Sequence, residues 1–145
     1  MKKIFNLILV ATTLFVFSNA YAQEKYLPVS ETPGQIASYV KAHFPKSKII
    51  SVKEDKEIFK TEYEVKLNTM VELEFDGHFS IKNIESKDAL PQSVVPTRIA
   101  AYVQKNYPDN KIIEWKKKKK GQKIELDNDI DLVFDLSGKF LGIDR

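Results

Sequence analysis

The chain has 145 residues, 23 lysines and arginines against 20 aspartates and glutamates, a formal net charge of +3, and no cysteine. Without thiols, disulfide, redox and zinc-thiolate chemistry are excluded, and stability must come from packing alone. So even a charge balance gives no footprint for nucleic acid, and the length suits one compact domain.

The chain opens with Lys2 and Lys3, an apolar run over residues 4–17, and then Ser18, Asn19, Ala20, Tyr21 and Ala22. A positive start, a short apolar stretch and alanines at alternate positions describe a secretory signal peptide over residues 1–22, cut after Ala22. The apolar run is shorter than the roughly 20 residues needed to span a bilayer. Its removal takes away two lysines and lowers the formal charge from +3 to +1. No cysteine follows the cut, so the expected product, residues 23–145, is a single periplasmic or secreted domain without a lipid anchor.

That product repeats itself. Residues 27–50 overlie residues 90–113 without a gap, and half of the positions are identical: Leu27/Leu90, Pro28/Pro91, Ser30/Ser93, Pro33/Pro96, Ile36/Ile99, Ala37/Ala100, Tyr39/Tyr102, Val40/Val103, Pro45/Pro108, Lys48/Lys111, Ile49/Ile112 and Ile50/Ile113. The match resumes after a four-residue slip, with Val65 and Leu67 on Ile124 and Leu126, and Val71, Leu73, Phe75 and Asp76 on Ile130, Leu132, Phe134 and Asp135. Gly77 and Phe79 then match Gly138 and Phe140 if two residues are inserted. Two units follow, about 27–86 and 90–145.

Each unit reads alike. A proline is tolerated at the first helical position, which predicts helix starts at Pro33 and Pro96. Ile36, Tyr39, Val40 and Phe44, and likewise Ile99, Tyr102, Val103 and Tyr107, recur at three- and four-residue steps and form one apolar stripe per helix. Pro45 and Pro108 end the helices. A strand is expected near residues 49–52. Beyond it the pattern alternates with period two: Tyr63, Val65 and Leu67 oppose Glu62, Glu64 and Lys66, and Val71, Leu73 and Phe75 oppose Glu72, Glu74 and Asp76. Asp76-Gly77 predicts a two-residue hairpin turn. The expected fold is α+β: two tandem α-β-β-β-β repeats forming one antiparallel sheet of about eight strands, with both helices packed on one face.

A helix opening Pro-x-x-Ile-x-x-Tyr-Val and closing on aromatic-Pro, a Lys-Ile strand, and a final Phe-Asp with Gly-x-Phe resemble the PepSY-like, β-lactamase-inhibitor-like family of exported bacterial proteins. Here these are Pro33, Ile36, Tyr39, Val40, Phe44, Pro45, Lys48, Ile49, Phe75, Asp76, Gly77 and Phe79 with their second-copy partners. Thr32 and Val95 stand where a leucine is the family's choice before the helix-opening proline. The resemblance implies tandem repeats whose sheet grips a protein, with an inhibitory role open, and it supplies no catalytic residue.

Catalytic parts are missing. His43 and His78 are isolated, with no nucleophile and orienting acid at recognisable positions, and no glycine-rich phosphate cradle occurs. Asp127, Asn128, Asp129 and Asp131 look like a calcium loop, but Leu132 and Gly138 occupy the positions where an EF-hand needs glycine and glutamate. No metal or cofactor is expected. The candidate partner-binding surface is the polar sheet face: Glu62, Glu64, Lys66, Glu72, Glu74, Glu125, Asp131 and Val133. The second candidate is a basic loop, Lys116, Lys117, Lys118, Lys119 and Lys120, flanked by Trp115. Residues 53–57 match it in the first copy with mixed charge, which also fits a solvated loop. Trp115 falls opposite Val52 and reads as a packed strand residue. The sequence thus describes a non-catalytic exported module, expected to be monomeric and to take an envelope protein on its polar face. The alternative is a surface-associated protein held on anionic lipid or glycan by the lysine loop. A structural homo-oligomer joined by edge strands is a third reading.

Overall fold

The computed structural model describes residues 23–144. The signal-peptide expectation lies outside the described residues. Nine strands form one sheet in sequence order, every neighbour antiparallel: β1 (Gln23–Leu27), β2 (Ile49–Lys56), β3 (Thr61–Leu67), β4 (Val71–Asp76), β5 (Ile81–Ser86), β6 (Ile112–Lys118), β7 (Gly121–Leu126), β8 (Asp131–Phe134) and β9 (Phe140–Asp144). Helices α1 (Gly34–His43) and α2 (Thr97–Asn106) precede β2 and β6.

The count is nine rather than about eight because β1 pairs with β2 from Gln23↔Lys56 to Leu27↔Val52. Its residues Gln23, Glu24, Lys25 and Tyr26 are exposed and carry no alternation, so only pairing makes it a strand. β5 closes the first unit and also flanks β6 through Ile84↔Trp115. β2 has no preceding unit to flank it, and β1 fills that place.

Pro33 and Pro96 sit one position earlier than expected, as N-caps with φ −51° and −54°. Their ψ of 134° is extended, so the helices proper begin at Gly34 and Thr97. At the far ends the N–H groups of Phe44 and Tyr107 donate to the carbonyls of Val40 and Val103 at 2.7 Å, and Pro45 and Pro108 follow. Ile36 and Val40 of α1, and Ile99 and Val103 of α2, are buried against the sheet residues Val52, Val65, Leu73, Phe75, Ile84, Ile124, Leu132 and Phe134. Equivalent aromatics repeat the packing. Tyr39 meets Phe75 edge-on at 5.4 Å and Tyr102 meets Phe134 edge-on at 5.5 Å. Burial pushes the Tyr39 hydroxyl pKa up to about 12.

Two local readings are corrected. Asp76-Gly77 is not a two-residue turn. The Phe79 N–H donates to the Asp76 carbonyl, the Asp76 N–H to the Ser80 carbonyl, and Phe79 takes φ +61°. The second copy builds the same turn with Asp135 for Asp76, Gly138 at φ +82° for Phe79, and Lys139 for Ser80. In both, the aspartate Oδ1 accepts the N–H groups two and four residues ahead, an Asx arrangement that fixes the loop. No insertion is therefore needed: Phe75↔Ile81 corresponds to Phe134↔Phe140, and the counterpart of His78 is Ser137. The second correction concerns residues 53–57 and 116–120, which are mainly strand. Lys53, Glu54, Asp55 and Lys56 belong to β2, and Lys116, Lys117 and Lys118 to β6, leaving Lys119 and Lys120 to turn the chain.

Candidate functional site

The helices cover one face of the sheet, and the other is polar. Directly opposed residues in an antiparallel pair share a face, so the pairing register gives the rows that cross it. One row runs Tyr26, Lys53, Glu64, Glu74, Asn83, Lys116, Lys123 and Val133. The next runs Ser51, Lys66, Glu72, Glu85, Glu114, Glu125, Asp131 and Asp144. From β4 to β9 that second row places six carboxyl groups side by side, one per strand.

All eight expected face residues lie on this side, but they do not form one cluster. Glu62 sits in a third row between Asp55 and Asp76. It is bound by Lys60 and Lys82, each at 2.8 Å. Burial pushes its carboxyl up, the two lysines outweigh that, and the group is held below the usual carboxylate range. Glu64 is 3.5 Å from Lys53, Glu72 is 2.8 Å from Lys66, and Asp131 is 2.6 Å from Lys123. Glu74, Glu125 and Val133 complete the set. Lysines on the same face thus neutralise most of the first copy.

Of the part without ion pairs, Glu125 was expected from the sequence, whereas Glu85 and Glu114 were not singled out. Glu85, Glu114 and Glu125 stand in consecutive register on β5, β6 and β7, and none makes an ion pair among the described residues. Burial pushes the Glu114 carboxyl above its ordinary range, opposed by Lys116 and Lys123 and reinforced by Glu125 and Glu85. Beside this row, Asn83 is only 6% exposed and its side-chain oxygen has no hydrogen-bond partner among the described residues. It lines a depression of about 180 Å³ together with Glu64, Glu72, Glu74 and Glu85. The signal was present in the alternation: Ile84 and Trp115 point to the core, so Glu85 and Glu114 must point away. Such a surface offers acceptors for cationic donors. Among the described residues no three carboxylate or histidine groups converge as metal ligands. In the calcium-like run, the Asp127 side chain accepts from the Lys111 N–H and the Asn110 amide, while Asp129 makes the turn at φ +62°.

Trp115 lies in β6, 6% exposed, with its indole N–H donating to Gln122 Oε1 at 2.9 Å. Gln122 in turn donates to the carbonyls of Asp135 and Leu136. The indole therefore belongs to the helix-side packing and not to a loop. Lys117, Lys118, Lys119 and Lys120 are exposed, Lys116 is half-buried, and none of the five forms an ion pair among the described residues. His43 Nδ1 is 2.9 Å from the Ser93 hydroxyl, and His78 is exposed in its turn.

Known structures share this architecture. One is described as a putative calcium-regulated periplasmic protein from Bacteroides thetaiotaomicron: 29% identity, 84% of this chain and 97% of that chain covered, TM-score 0.78. A second, described as a putative periplasmic protein of the DUF2874 family from Bacteroides vulgatus, is 30% identical over 84% of this chain and 97% of its own, with TM-score 0.77. A third, described as a putative periplasmic protein of unknown function from Bacteroides vulgatus, is 27% identical over 85% of this chain and 100% of its own, with TM-score 0.79. Among curated proteins none matches. The family model described as "Putative beta-lactamase-inhibitor-like, PepSY-like" matches twice in tandem, over residues 18–83 and 82–142, and the chain belongs to that family.

Proposed function

We propose that this protein is a non-catalytic periplasmic binding module that captures a protein partner on the polar face of its sheet, with the carboxylate row receiving basic side chains. The observation that carries the reading is the unpaired run Glu85, Glu114 and Glu125 beside the buried, unpartnered Asn83 oxygen. Like charges directly opposite one another destabilise a sheet, and a partner's lysines or arginines would relieve that repulsion. A family described as inhibitor-like and relatives described as periplasmic support the class and the location. Inhibition of an enzyme is one use of such capture.

The test is affinity capture from the cell-envelope extract at low and high salt. Glu72→Lys with Glu74→Lys, and separately Glu114→Lys with Glu125→Lys, should each abolish retention of a protein that the unaltered chain holds. Circular dichroism should show both variants folded. Retention of the same protein by both folded variants would refute the assignment of the face.

A further inference from the structure

The two copies differ most in one hairpin. Val52 to Val65 spans four residues more than Trp115 to Ile124, and this is the four-residue slip of the repeat. Asp55↔Glu62 in the first hairpin occupies the place of Lys118↔Gly121 in the second. The first hairpin therefore extends two strand residues further, about 7 Å. At its tip, between Lys56 and Thr61, stand Ile58 at 70% and Phe59 at 98% exposure. An apolar pair is thus carried outward by the longest hairpin, with Phe59 almost fully exposed among the described residues.

The turns after β2, β4, β6 and β8 all lie on one edge of the sheet, because every neighbour is antiparallel. The tip with Phe59 and the lysine turn share that edge, about 19 Å apart at four strand spacings. Lys117, Lys118, Lys119 and Lys120 are exposed and unpaired among the described residues, while Glu57 is the only acid of the 57–60 turn. The row through Glu114 lies about 13 Å back from Lys118 along β6.

We propose that this edge docks on an anionic phospholipid surface, with Ile58 and Phe59 entering the interface and Lys117, Lys118, Lys119 and Lys120 resting on the headgroups. Either element alone gives weak, reversible binding, and an apolar anchor combined with a basic patch gives retention. Charge complementarity selects the occupant, since four exposed cations, unpaired among the described residues and on the same edge as an apolar knob, fit a negatively charged, apolar-cored surface. In this pose the acidic row is held off the membrane and stays open to a partner.

The protein, purified after export, would be sedimented with vesicles of phosphatidylcholine alone and of phosphatidylcholine with phosphatidylglycerol. Retention is expected on the mixed vesicles only and should fall as salt rises. Ile58→Ser with Phe59→Ser, and separately Lys118→Ser with Lys119→Ser and Lys120→Ser, should each weaken it roughly tenfold or more. A control, Ile50→Ser with Met70→Ser, removes two residues 58% and 64% exposed at the opposite edge and should change nothing. No retention on mixed vesicles, equal retention on neutral ones, indifference to the Phe59 change, or an equal loss in the control would each overturn the proposal. Because the acidic row is untouched in these variants, partner capture should persist in them.

Discussion

Replacing Glu114 with glutamine should make the protein more stable and its partner binding weaker. Glu114 faces Glu85 on one side and Glu125 on the other. An opposed like-charged pair costs about 0.2–1 kcal/mol, so relieving two gives a gain of about 1 kcal/mol. For a domain of this size that is about 3–5 °C in Tm. The sign follows from its carboxyl, which burial holds above the ordinary range. Below about pH 4 both folded and unfolded chains keep the proton and no penalty exists. As pH rises the unfolded chain ionises first, and above the folded pKa the full penalty rests on the native state. Thermal unfolding followed by circular dichroism at neutral pH and low salt should therefore favour Glu114→Gln, with the difference shrinking below pH 4 and in high salt. A variant less stable than the parent at neutral pH would refute the reasoning, since it would mean that the charged carboxylate is satisfied in the native state.

Three further changes probe the frame. A Cβ on Gly121 would fall within clashing distance of the Phe134 carbonyl, so Gly121→Ala should destabilise by about 1–3 kcal/mol in urea unfolding. Trp115→Phe keeps a ring in the core but deprives Gln122 Oε1 of its donor, and should cost about 1–3 kcal/mol by the same measurement. Glu62 has its carboxyl depressed by Lys60 and Lys82, so its contribution is present at neutral pH and is lost as pH falls through the folded value. Glu62→Gln should accordingly flatten the acid limb of a stability–pH profile.

The helices and most strands were legible because their signals are local: prolines at the helix ends, a three-and-four stripe, and strict alternation. β1 was not, since Gln23, Glu24 and Lys25 acquire strand geometry only from pairing with Lys56, Asp55 and Glu54. The turn after Asp76 misled because a glycine beside an aspartate suggests a two-residue turn, whereas the left-handed position falls on Phe79, whose ring lies 5.2 Å from Tyr63. Of the polar face, the members were visible by alternation but their register was not. Only the pairing of β5 with β6 shows that Glu85 stands against Glu114 across the junction of the copies.

That junction is where duplication has a chemical consequence. Ser51, Lys66 and Glu72 cross the first copy in the positions that Glu114, Glu125 and Asp131 hold in the second. In the first copy Lys66 binds Glu72 at 2.8 Å, and the row is neutral there. In the second, Glu125 replaces that lysine and Glu114 replaces the serine, so Lys123 is left to neutralise Asp131 from the adjacent row. The buried cores of the two copies can match because each must fill the same space under its helix. The open face is under no such constraint, and there the second copy accumulates repulsion that packing does not require. A sheet could lose that charge at no cost to its fold. Under the proposed function that charge would be relieved by a ligand of opposite sign, and the Glu114→Gln variant is expected to separate the two effects by moving stability and capture in opposite directions.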